Sequence, residues 1–276
     1  IIGGNLHPVI LKLGAFEFGS YGLMLAISFL LGIYWATVRA KKKGVDPNQV
    51  MDLSVIIIIC SIVGSRFLYV IYHLEEFRGN WMDTFNPFQS DGRVGIAGLT
   101  MLGGVILSFV VSFIYLRVKK ISFLKLADVL IPAFALGIMI TRIGCYLNGC
   151  CWGNPCDEHC HFGVVFPPNS PAGAMFQGVP IIPTQLYSSL YGLIIMVSLV
   201  VIEKWQKFDG FLLYVFLILY GISRFIIDIY RYYETSMVVI AFGTRGLSLN
   251  QCISLSFVLL GIILLVIGYR RVAKTA

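Results

Sequence analysis

Charge is scarce in this chain. Only 13% of its 276 residues are Asp, Glu, Lys or Arg, and 14 are acidic. A soluble domain carries roughly twice that share, about 25%. The chain also has no internal repeat, low-complexity tract or Pro-rich linker, which argues against repeat arrays and tethered domains. No secretory leader with a small-residue cleavage site precedes the first apolar run, so that run is expected to stay in place as a span. What fills the chain is apolar: 58% of the residues are hydrophobic. It reads as one polytopic membrane domain, 1–276. The net charge of +7 then reports topology, and no nucleic-acid partner is expected.

A helix crosses a bilayer with about 20 mostly apolar residues. Seven such runs occur, at roughly 19–38, 50–72, 99–117, 123–147, 184–203, 210–230 and 249–269. The expected fold is therefore an all-α membrane protein with seven transmembrane helices. Arg39 with Lys41, Lys42 and Lys43, Arg117 with Lys119, Lys120 and Lys125, Lys204 with Lys207, and Arg270 with Arg271 and Lys274 all fall on one side. Basic loops stay in the cytoplasm. This predicts an external N-terminus, a cytoplasmic C-terminus and external loops at 73–98, 148–183 and 231–248. Loop 148–183 is the longest and carries most of the cysteines.

An ionised group inside a span is costly and points to function. The spans hold Arg66, Asp128, Arg142, Arg224 and Asp228. In LYGISRFIIDIYRYYE, Tyr220, Arg224, Asp228 and Arg231 share one helical face. Arg142 and Arg224 both lie near the outer ends of their spans. Two guanidinium forks there suit a phosphate. The structural alternative pairs Arg224 with Asp228 alone and lets Arg66 or Arg142 reach the surface. Gly98, Gly103 and Gly104 in GLTMLGGV permit close approach of either a ligand or another helix.

Several segments together resemble the prolipoprotein diacylglyceryl transferase family: YGLM (21–24), GSRFLYV (64–70), GLTMLGG (98–104), ADVLIPAFALG (127–137), TRIGCYLNGCCWG (141–153), PTQLY (183–187) and YGISRFIIDIYR (220–231). The resemblance implies transfer of diacylglycerol from phosphatidylglycerol to the thiol of a lipobox cysteine, with glycerol-1-phosphate leaving. It implies catalytic roles for Arg142, Arg224 and Tyr220. Substrate-binding roles follow for Tyr21, Arg66, Gly103, Gly104, Asp128, Asn148, Gly149, Gly153, Gln185 and Asp228. The implied partners are phosphatidylglycerol, the signal peptide of a prolipoprotein and the membrane. The implied place is the bacterial inner membrane, with the site facing the periplasm and no cofactor. Three departures stand out: Leu102 where the family has histidine, Cys145 where it has asparagine, and Cys150 where it has glutamate. A membrane thiol–disulfide redox protein and a non-catalytic lipid binder on the same scaffold are the competing readings.

Five of the seven cysteines lie between Thr141 and Cys160. An oxidising compartment favours disulfides, and Cys150 and Cys151 are expected to bond to Cys156 and Cys160. A metal site that includes His159 and His161 ranks second, because no CxxC pair is present, and no metal is assigned. Free reactive thiols, Cys145 among them, rank third. Cys60 and Cys252 read as apolar packing residues.

Overall fold

The computed structural model describes residues 2–3, 8–13, 16–77, 100–156, 160, 162–232, 238–242 and 245–275. Gly98, His159 and His161 lie outside the described residues, as does most of loop 73–98. The helices are α1 Ser20–Lys42, α2 Pro47–Tyr72, α3 Leu74–Phe77, α4 Met101–Val118, α5 Phe123–Asn148, α6 Pro171–Phe176, α7 Thr184–Ile202, α8 Phe211–Ile229 and α9 Leu249–Thr275. Seven of them are long and apolar enough to cross a membrane, and these match the expected spans. The main differences are at α1 and α9, which run on to Lys42 and Thr275. Arg and Lys are good helix formers, so the helix outlasts the apolar run. Short strands accompany the helices: β1 Ile2–Gly3, β2 Val9–Leu13, β3 Phe16–Gly19, β4 Val164–Val165, β5 Val238–Phe242 and β6 Arg245–Ser248. Strand β1 pairs in parallel with β4, and β5 pairs antiparallel with β6.

The chain packs as two compact units, Ile1–Ile10 with Phe18–Ala36 and Ala127–Ala276, and Leu11–Glu17 with Thr37–Leu126. In the first unit, Ala135, Ile195, Leu199, Phe211, Leu212 and Phe216 form a buried cluster between α5, α7 and α8. Hydroxyls tie helices where apolar packing alone gives little direction. Ser28 of α1 donates to Gly137 O (3.2 Å), and Ser189 of α7 donates to Met139 O (2.9 Å).

Asp128, for which the resemblance implied a substrate-binding role, makes its contacts with the start of α8. It sits near the start of α5, about 30 Å along the helix from Asn148. Its carboxylate accepts from the backbone N–H of Gly210 (2.6 Å) and Leu213 (3.0 Å) and from Gln206 Nε2 (2.7 Å). The two backbone N–H groups are donors that the start of α8 leaves without helical partners. Asp128 is therefore the anchor of α8, and its carboxylate is not free for substrate.

In the second unit, α2 and α4 cross at Gly64 and Gly103. A Cβ on either residue would collide with the backbone carbonyl of the other, and one on Gly104 would meet the Ser65 hydroxyl. Thr100 N–H donates to Ser65 O (3.0 Å) and Ser108 Oγ to Ile57 O (3.2 Å) at the same crossing. Gly103 and Gly104 thus serve close helix packing. Arg66 is buried, its guanidinium 5.5 Å from the centre of the Tyr69 ring. Gly103→Ala should destabilise the protein by about 1–3 kcal/mol through overpacking. Gly22→Ala, where nothing lies within 4 Å of the new methyl, should be neutral or stabilising. Unfolding midpoints in detergent check this, and equal midpoints for the two variants would contradict the packing role.

Candidate functional site

The end of α5 builds the site. The helix stops at Asn148 because Gly149 takes a left-handed conformation, φ +72°, which glycine adopts without a Cβ penalty. Gly149 N–H then donates to Tyr146 O (3.1 Å), and Cys150 N–H donates to Cys145 O (3.0 Å). This pair of bonds is the Schellman termination, in which the residue after the glycine folds back beside the residue five positions earlier. Here those two residues are Cys150 and Cys145. Cys151 also has positive φ, +60°, and continues the turn. The three Sγ atoms lie within 4.8 Å of one another.

The turn is held from outside by α7. Gln185 Nε2 donates to Cys150 O (2.7 Å) and Thr184 Oγ1 to Cys151 O (3.1 Å). Gly153 N–H donates to Ile182 O (3.1 Å), and Asn154 N–H to Tyr230 O (2.9 Å) at the end of α8. A side chain at Gly153 would stand 2.7 Å from both of those carbonyl oxygens. Beyond the turn, loop 148–183 carries its own small core of Val164, Phe166, Ala172 and Ile181, with Tyr146 and Leu147 of α5 against it. Asn148, Gly149, Gly153 and Gln185 therefore build the turn.

Arg142 lies two helical turns before the glycine. It hydrogen-bonds to the Cys151 side chain and is within electrostatic reach of Cys145 and Tyr220. Tyr21 of α1 shares this neighbourhood with Arg142 and all three thiols. The Cys151 thiol is held well below the usual thiol range. The thiols of Cys145 and Cys150 donate to it, and the charges of Arg231 and Arg142 add to their effect against the cost of burial. Cys150 moves the other way: a hydrogen bond from Cys145 lowers it, but its own donation to Cys151, together with burial, outweighs that and raises it.

Arg224 is set by a relay from α9. Its Nη2 lies 3.4 Å from Asp228 Oδ1. Asp228 Oδ2 in turn accepts a short hydrogen bond from the Ser248 hydroxyl. Ser248 also caps α9, since Gln251 N–H donates to Ser248 Oγ (3.1 Å) and Ser248 N–H to Gln251 Oε1 (3.0 Å). This reciprocal pair is a capping box. Tyr220 stacks on Phe216 with ring centres 5.4 Å apart, one turn before Arg224 on the same face and within reach of Arg142.

The structure thus joins Tyr21, Arg142, Cys145, Cys150, Cys151, Tyr220 and Arg231, and sets Arg224 and Asp228 on the adjoining turns of α8. Arg66, Gly103 and Gly104 belong to the second unit. The expected disulfide pairing is corrected: Cys156 bonds to Cys160, while Cys150 and Cys151 remain thiols, as do Cys60, Cys145 and Cys252. The cap draws Cys150 back toward Cys145. Sequence reasoning missed Ser248, Gln251 and Thr184. The S-x-x-Q spacing of Ser248 and Gln251 before an apolar run was a usable signal, whereas Thr184 carried none.

Seven long apolar helices among the described residues, with Arg142 near Tyr21 and Tyr220 at the end of α5, define a polytopic membrane protein. Residues 8–267 match the model of prolipoprotein diacylglyceryl transferase, and the chain belongs to that family. It is 29% identical over 278 residues to phosphatidylglycerol–prolipoprotein diacylglyceryl transferase 1 of Clostridium perfringens, covering 98% of this chain and 97% of the relative. The enzyme of Finegoldia magna with the same name, apart from its number, is 30% identical over 256 residues, or 92% and 93% of the two chains. That of Clostridium kluyveri is 30% identical over 230 residues, or 81% and 84%.

Proposed function

We propose that this chain is a transferase that moves the diacylglyceryl group of phosphatidylglycerol to the cysteine thiol of a prolipoprotein, releasing glycerol-1-phosphate. The observation that carries the reading is the placing of Arg142 beside Tyr220, with Arg224 one turn further along α8. The relatives' name supplies the substrate class. In the reaction, the acceptor thiolate attacks a glycerol carbon. A C–S bond forms, and the C–O bond to phosphate breaks. The electron pair leaves with the phosphate, whose growing charge Arg142 and Arg224 neutralise in a site with little water. Tyr220 donates a hydrogen bond to a phosphate oxygen. Leu102, exposed in the first turn of α4, offers no proton-transfer group. The acceptor thiol, with an ordinary pKa of about 8.5, reaches its thiolate form in part near neutral pH and more readily beside arginine. The redox and non-catalytic readings gain nothing from the relatives' names.

The site faces the periplasmic side of the bacterial inner membrane, and the prolipoprotein presents its signal peptide from within the bilayer. The support is the charge pattern. Basic clusters crowd the loop side where α5 starts, and Arg142 lies toward the opposite end of that helix. Cysteine introduced at exposed Met175 should react with an impermeant maleimide in intact cells, and cysteine at Lys41 or Ala273 should not. The reverse pattern would overturn the orientation.

Arg142→Ala and Arg224→Ala should each slow transfer to a lipobox peptide by about one to two decades, the loss of one charge-assisted contact. Arg224→Lys should recover little, since lysine lacks the planar fork. Release of glycerol-1-phosphate together with peptide mass gain measures the reaction. Unchanged rates in both alanine variants would make the arginines structural.

A further inference from the structure

We propose that Cys145, Cys150 and Cys151 form a binding site for one thiophilic divalent cation, of which Zn2+ is the best fit. The cation site adjoins the transferase site and shares Arg142 with it, but its argument does not rest on the transferase reading. Its first support is geometric. The three Sγ atoms already lie within 4.8 Å of one another. Sulfurs around zinc at a Zn–S length of about 2.3 Å stand about 3.8 Å apart in a tetrahedral site. Small rotations of the side chains close that gap.

The second support is that the backbone holding the thiols is built in advance. The Schellman bonds set Cys150 beside Cys145, and the positive φ of Cys151 turns the third sulfur into the same space. Gln185 and Thr184 hold the carbonyls of Cys150 and Cys151. A metal therefore meets an arranged site, and little chain ordering opposes binding. The amide that holds Cys150 O also leaves Gln185 Oε1 buried and without a hydrogen-bond partner among the described residues. That oxygen is an acceptor for a metal-bound water beside Cys150, which suits a cation with three protein ligands and an open fourth position.

Charge is the third support. Three thiolates around Zn2+ carry one net negative charge, and Arg142 and Arg231 both lie close enough to Cys151 to offset it. Binding exchanges protons for metal: Zn2+ enters, the thiol protons leave to solvent, and three Zn–S bonds form with no change of oxidation state. Soft sulfur ligands select zinc over calcium or magnesium. Cys156 and Cys160 are spent on their own disulfide and do not compete.

The test uses the full-length chain in detergent, reduced, stripped with chelator, loaded with Zn2+ or Co2+ and passed over a desalting column. The wild type should retain one metal per chain, and the Co2+ form should show intense sulfur-to-metal charge-transfer absorption. Cys145→Ser/Cys150→Ser/Cys151→Ser should lose both, while Cys60→Ser/Cys252→Ser and Cys156→Ser/Cys160→Ser, the latter removing the thiols that reduction frees, should keep both. Gln185→Ala, which loosens the turn without touching a sulfur, should weaken Zn2+ affinity by roughly 10-fold or more. The cadmium-113 shift of the Cd2+-loaded wild type reports a three-sulfur site without any mutation. A reduced wild type that retains no metal, a triple variant that retains it, or a cadmium shift without sulfur ligands would each overturn the proposal.

Discussion

Everything at the candidate site depends on how α5 ends. A helix leaves its last four carbonyls without partners, and in a membrane protein water is not there to satisfy them on the buried side. Gly149 solves this by turning left-handed, so that its own N–H donates to Tyr146 O and the N–H of Cys150 donates to Cys145 O. The solution has a consequence for side chains. The residue after the glycine must lie over the last turn, and here that brings two thiols together and a third close behind. Arg142 sits about one turn before Cys145 on the same helix. Had α5 continued for another turn, Cys150 and Cys151 would point away along the axis, and Gln185 would have no carbonyl to hold.

Other elements act by fixing that end in place. Gln185 and Thr184 at the start of α7 hold the turn by its carbonyls. The first residues after α8 accept Asn154 and pair Arg231 with Gly153. A relay runs from the cap of α9 through Ser248 to Asp228 and then to Arg224. The start of α7 and the end of α8 thus fix the end of α5 that carries Arg142, and the cap of α9 fixes Arg224 of α8. At the far end of α5, Asp128 does the corresponding work for α8. A change at any of these anchors shifts an arginine without touching it.

The seven spans were legible because hydropathy acts along the chain: a run of apolar residues bounded by lysine and arginine declares itself locally. The shared face of Tyr220, Arg224 and Asp228 was legible for the same reason, since helical spacing is a local rule. The bonds from Asp128 to the start of α8 were not legible, because nothing local reveals that α8 begins beside it. Gly103 and Gly104 carried two meanings in sequence, and the approach of α2 decides between them. The disulfide pairing failed because proximity through space, set by a left-handed glycine, does not follow proximity along the chain. Cys145 and Cys150, which stand where the family resemblance has asparagine and glutamate, give that turn sulfur in place of amide and carboxylate.

The central claim is that the end of α5 presents Arg142, with Tyr220 beside it, to the phosphate of a phospholipid. An experimental structure of the chain in nanodiscs containing phosphatidylglycerol tests this most directly. The account predicts a lipid phosphate within charge-assisted hydrogen-bond distance of the Arg142 guanidinium, about 2.7–2.9 Å, with Tyr220 on the same phosphate. A bound lipid whose phosphate lies elsewhere, with Arg142 still paired only to Cys151, would contradict it.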